Sequence, residues 1–171
     1  MYVLGTIEMA LQSKFTVYLA LVGVFAMLGG IMYYASLGNA DLEQVEIELQ
    51  NVEIIKDSIQ EDQLKLHVAF LVKNPSDTTF TVSVIKYNLY NNGVLLGPGK
   101  YSTEDISMPG RASFFPGNEI PLKNIFVLNK ADVESEIFNI IKNGPNDFSA
   151  EGMITTQNTW TMSEKEFKSG F

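Results

Sequence analysis

The side chains able to do chemistry are few and scattered. His67 is the sole histidine, Arg111 the sole arginine, and cysteine is absent. One imidazole without thiols cannot assemble the three or four nitrogen and sulfur ligands of a zinc site. A serine–histidine–aspartate triad would need His67 as its base, yet no Gly-x-Ser-x-Gly turn presents a nucleophile to it. Leu96-Gly97-Pro98-Gly99-Lys100 has the glycines of a phosphate loop, but not the Gly-x4-Gly-Lys-Ser/Thr spacing or a following helix. Asp57, Glu61 and Asp62 are close in sequence without the ligand spacing of a calcium loop, and read as a solvated turn. The inventory predicts no enzyme, no cofactor and no metal site.

Two features point to contact with a partner. Arg111 pairs with a carboxylate of its own chain or anchors a second molecule. Phe114 and Phe115 are adjacent on an expected strand, so one ring is directed outward, where an exposed aromatic marks an interface.

The elements that position these residues fall into two classes. Residues 15–40 contain no charged side chain. A bilayer core takes ~20 helical residues at ~1.5 Å each, so this stretch is expected to span a membrane once. The expected organisation is a short cytoplasmic segment (1–14), a transmembrane helix (15–36), a linker (37–44) and an extracytoplasmic domain (45–171). Lys14 precedes the apolar run and Asp41, Glu43 and Glu46 follow it, which places the N-terminus in the cytoplasm by the positive-inside rule. Tyr33 and Tyr34 would then sit at the outer interface. Cleavage after Gly38-Asn39-Ala40 would instead release a secreted domain. The apolar run exceeds a signal core of ~7–15 residues, which favours an uncleaved anchor. Ala20, Gly23, Ala26 and Gly30 fall on one side of the helix, where small residues let another helix approach. Residues 1–13 lie along the inner interface or extend the helix.

The formal net charge is −8, and because Glu8 and Lys14 cancel, the domain carries all of it. Such a domain repels phosphate backbones, which excludes nucleic acid as a partner, and it matches anionic headgroups poorly. The expected partners are membrane lipids around the span and membrane proteins along its small-residue face.

The domain reads as β-structure. Residues 45–55 and 64–72 alternate apolar and polar, the mark of strands with one buried face. Phe80, Val82 and Val84 continue the alternation, which then changes phase to Ile85, Tyr87 and Leu89; this predicts a bulge. Asn91-Asn92-Gly93 predicts a hairpin turn. Short strands are expected over 112–115 and 119–122, with turns at Pro109-Gly110 and Pro116-Gly117. Asn129 is expected to cap a helix over 130–142, with Val133, Ile137, Ile140 and Ile141 as its apolar stripe and Gly144-Pro145 as its stop. Residues 148–157 return to strand, and 160–171 has no clear period. Seven or so short strands with one late helix predict an immunoglobulin- or fibronectin-like antiparallel β-sandwich.

From residue 71 to 122 the order Asn74-Pro75, Tyr87-Asn88-Leu89-Tyr90, Asn92-Gly93, Gly97, Gly99 and Ile120-Pro121-Leu122 resembles the late embryogenesis abundant type 2 (LEA14-like) family, also known as the water-stress and hypersensitive-response (WHy) domain. The resemblance covers about residues 45–157. It implies a sandwich with one helix and no enzymatic activity. A short tail, one span and then this domain is similar to membrane-anchored members in plants, archaea and animals. The acidic, cysteine-free, arginine-poor composition is similar to archaeal ones. Turn chemistry already accounts for Asn74, Pro75, Gly97 and Gly99, so these residues are expected to shape the fold. Three functions follow as expectations: an accessory subunit of a membrane or envelope complex, a stress-protective or lipid-binding module acting alone, or a cleaved secreted domain.

Overall fold

A computed structural model of the protein describes residues 14–56, 61–103 and 112–170. The chain divides into two compact units, one ending at Leu37 and one beginning at Gly38. Helix α1 (Lys14–Glu43) contains Phe15–Tyr34, a 20-residue stretch long and apolar enough to cross a membrane, with none of it buried. The segment 37–44, expected as a linker, carries α1 to Glu43 and contributes Leu42 to the core of the second unit.

The second unit is a β-sandwich. Strands β1 (Glu46–Ile54), β2 (Gln63–Lys73) and β6 (Glu119–Asn129) form one antiparallel sheet in the order β1-β2-β6. Strands β3 (Phe80–Asn91), β4 (Val94–Ser102), β7 (Phe148–Gln157) and β8 (Met162–Ser169) form the other in the order β4-β3-β7-β8, with β5 (Ser113–Phe114) beside the start of β3. Period-two alternation decides which side chains meet between the sheets. Leu64, Leu66, Val68, Phe70 and Val72 of β2 are buried opposite Phe80, Ile85, Tyr87 and Leu89 of β3 and Ile154 of β7. Phe70 packs edge-on against Tyr87 at 4.9 Å and Phe167 at 5.6 Å, while Phe80 stacks on Phe114 at 5.3 Å. Burial of Phe70, Phe80 and Phe114 contributes about 1.5–3 kcal/mol of apolar transfer each.

The phase change in β3 is a bulge against β7: Val82 faces Thr156 and Val84 faces Thr155, leaving Ser83 as the extra residue. The hairpin turn is present, with Asn92 at φ 51° and Gly93 at φ 78°, the paired positive angles of a type I′ turn. Three expectations are corrected. β6 runs to Asn129, well past residue 122, because the polar Asn124 that breaks its apolar pattern points inward and is hydrogen-bonded there. The expected helix over 130–142 is a 3-10 turn (Lys130–Asp132) followed by α2 (Ser135–Asn143); extended backbone at Val133 separates them, and Glu134 is the N-cap residue. Asn129 makes no capping hydrogen bond from its side chain, which donates instead to Asp132 Oδ2 at 2.9 Å. α2 accordingly buries Phe138 and Ile141. The turn at Pro109-Gly110 lies outside the described residues.

Candidate functional site

Asn74 follows β2 directly and is buried among backbone groups. Its Nδ2 donates to Thr78 O and to Phe114 O, both at 2.8 Å, and its Oδ1 accepts from Ser76 N at 3.0 Å and Ser76 Oγ at 2.7 Å. One side chain thus ties the β2–β3 crossover to β5, and Pro75 follows where no ladder bond is needed. Gly97, at φ 141°, lies at the shift in register where β4 crosses from Leu95 opposite Tyr90 to Gly97 opposite Leu89. A Cβ on Gly99 would collide with the Tyr87 ring, and one on Gly152 with the Lys86 carbonyl and the Tyr87 Cα. Tyr87 is therefore flanked by a glycine on each neighbouring strand.

That row, Gly99–Tyr87–Gly152–Phe167, floors a trough of about 1040 Å³ on the outer face of the β4-β3-β7-β8 sheet. Its walls are two cross-strand rows, Pro98–Asn88–Glu151–Lys168 and Lys100–Lys86–Met153–Glu166. Tyr90 Oη donates to Glu151 Oε1 at 2.6 Å, and Lys168 Nζ lies 3.5 Å from Glu151 Oε2. The tyrosine hydrogen bond, then the lysine charge, hold the Glu151 carboxyl below its usual range. The same hydrogen bond pushes the Tyr90 hydroxyl up. Beneath the floor, burial pushes Tyr87 up to about 12, against a smaller opposing effect of its hydrogen bond to Asn124. Asn124 Oδ1 accepts from Tyr87 Oη at 3.0 Å and its Nδ2 donates to Lys100 O at 3.0 Å, which joins the two sheets at the β4–β6 side. Lys86 and Lys100 stand directly opposite one another, an unfavourable like-charge pair on an otherwise acidic domain.

The residues singled out in the sequence are dispersed. His67 is exposed on β2, at a shallow depression with Gln50, Glu53, Ala69 and Lys123. Glu61 and Asp62 are exposed, and Lys130 Nζ lies 3.8 Å from Asp62 Oδ1. Asp57 and Arg111 lie outside the described residues. Phe114 is fully buried while Phe115 is exposed. Ala20, Gly23, Ala26 and Gly30 are exposed on α1, with open space around the two glycines. Among the described residues no three histidine, cysteine, aspartate or glutamate side chains cluster to hold a metal ion. The trough escapes sequence reading because it depends on which glycine faces Tyr87 across two strand pairs. The exposed Trp160, in the turn between β7 and β8, was legible only as a lone tryptophan among turn-forming residues.

No protein-family model and no curated protein matches the chain. Solved structures do resemble it. A protein from Arabidopsis thaliana determined in solution aligns with a TM-score of 0.50 at 16% identity, covering 74% of this chain and 83% of its own. A protein from Archaeoglobus fulgidus aligns at 0.45 and 18% identity, covering 71% and 92%. A protein described as late embryogenesis abundant aligns at 0.45 and 14% identity, covering 89% and 86%. At these identities the likeness to the Arabidopsis structure bears on the fold alone, and it agrees with the sandwich expected from the strand pattern.

Proposed function

We propose that the chain is a non-enzymatic, single-span membrane protein whose sandwich serves as an accessory subunit of a larger membrane or cell-envelope complex. In this reading the N-terminus is cytoplasmic and the domain lies outside. The observation that carries it is the helix Phe15–Tyr34, whose side chains are exposed along its whole length. So much apolar surface is stable only under lipid or against other helices. Ala20, Gly23, Ala26 and Gly30 give one side of it low relief, on which a partner helix can pack closely. A domain with dispersed reactive groups and a filled interior supports a structural task over a catalytic one. Lipid carriage needs an apolar groove between the sheets; the contacts of Phe70 with Tyr87 and Phe167, and of Tyr87 with Phe126, occupy that space and count against it.

Affinity purification of the native protein in mild detergent tests the reading. Fixed membrane-protein partners are expected to co-purify, and Gly23→Leu is expected to deplete them while leaving the chain in the membrane. Recovery of the chain alone overturns the assignment.

A further inference from the structure

The sandwich has two rims, and among the described residues its strongly exposed aromatic side chains fall at one of them. The chain arrives at one rim: Leu42 and Val45 are buried, Glu46 pairs with Lys73, and Lys73 pairs with Glu119. The crossover after Lys73 leads straight to Phe80 and Thr81, which face β5 and Gln157, and Gln157 faces Met162. The β5–β6 turn with Phe115 and the β7–β8 turn with Trp160 therefore lie at that same rim. Lys165 Nζ donates to Val45 O at 2.6 Å and Leu49 N donates to Ser169 Oγ at 2.9 Å, so β8 runs beside β1 in the same direction. Met162 and Trp160 thus lie beyond the level of Val45. Trp160 is 75% exposed, Met162 58% and Phe115 57%. Among the described residues of the sandwich, no other aromatic ring is comparably exposed; of the exposed aliphatic side chains, Val94 and Leu95 are at the opposite hairpin, and Ile125 and Val127 lie along β6. The Trp160 turn is closed by hydrogen bonds: Asn158 Oδ1 accepts from Trp160 N at 2.8 Å and Thr161 N at 2.9 Å, and Asn158 N donates to Thr161 O at 3.0 Å.

We infer that this rim rests in the headgroup layer of the membrane, with Trp160, Phe115 and Met162 as its apolar contacts. The inference rests on reading Phe15–Tyr34 as a span. The buried Leu42 lies eight positions after Tyr34, a reach of ~12 Å as helix and no more than ~28 Å extended. That tether is short enough for the rim to reach the interface. Indole, phenyl and thioether groups gain from burial at that depth, and tryptophan is favoured there. Among the described residues at the rim, Glu46, Asp77 and Glu119 outweigh Lys73 and Lys165, so the matching surface is zwitterionic; anionic lipid would be repelled.

Trp160 is the only tryptophan of the chain and reports on the contact directly. The purified full chain is reconstituted into phosphatidylcholine vesicles at low protein density. Its emission is expected to be blue-shifted from that of N-acetyltryptophanamide, quenched by a spin label near the headgroup and shielded from acrylamide. The double variant Phe115→Ser/Met162→Ser is expected to reduce the lipid quenching by about twofold or more. Water-like emission with full acrylamide access overturns the inference, as does quenching unchanged in the double variant. Shielding that appears only at high protein density, without lipid quenching, assigns the rim to a second copy and also overturns it. Alkaline extraction of the same vesicles separates the two readings. A chain that washes out overturns the span itself, whereas a retained chain with a water-exposed Trp160 overturns only the rim contact.

Discussion

Asn74 and Tyr87 show how single side chains hold this sandwich together. Asn74 satisfies two backbone carbonyls and accepts two hydrogen bonds while buried. Asn74→Ala leaves the Phe114 carbonyl without that donor and opens the crossover, so a loss of about 2–4 kcal/mol is expected in chemical denaturation. Tyr87 predicts a specific alkaline limit. Its ordinary value of 10.0 is raised to about 12 in the fold because burial disfavours the phenolate. A raised folded value means that stability is intact below 10.0 and is lost as pH climbs through about 12. Over that window the wild type is expected to lose about 2–3 kcal/mol through this group. Tyr87→Phe, measured by urea unfolding at both ends of the window, should lack that component and cost about 0.5–1.5 kcal/mol at neutral pH from the lost Asn124 bond. The sequence signalled both residues as fold-shaping. It did not signal Asn124, since a polar residue in an apolar alternation reads as the end of a strand until its partners are known.

At the scale of elements, the alternation in β2 and the phase change in β3 were legible because a buried face leaves a period of two in the residues that form it. β8 was not. Its residues Met162, Ser163, Glu164, Lys165, Glu166, Phe167, Lys168 and Ser169 offer one large apolar side chain after the exposed Met162, and β8 is an edge strand held by pairing with β7 and by Phe167 lying on Phe70. Charge along such an edge is what discourages pairing with other chains. Phe167→Ala is expected to destabilise the domain by about 2–3 kcal/mol and to raise amide exchange first in β8 and β7. The helix boundary was misread for a similar reason: Val133 fits a helical stripe by spacing, yet it takes extended backbone and packs against the core. The trough makes a further prediction. Because Lys86 and Lys100 face each other, Lys100→Glu should raise stability by about 0.2–1 kcal/mol, read as an upward shift of the urea midpoint at low salt that shrinks in high salt.

For the whole molecule, two sequence properties carry most of the account: a charge-free stretch of spanning length and an acidic domain with period-two strands. Both were legible because bilayer thickness and sheet geometry each impose a fixed length or period. What the domain meets was not legible, because the exposed rim is assembled from turns more than 40 residues apart, around Phe115 and Trp160. The central claim is that this chain works as one subunit among several. The most direct measurement is blue-native electrophoresis of gently solubilised native membranes, with mass spectrometry of the band that contains the chain. The account predicts a band well above the 19.0 kDa of the monomer, with the same partner proteins in independent preparations. A band at the size of the detergent-bound monomer, with no constant companion, would contradict it.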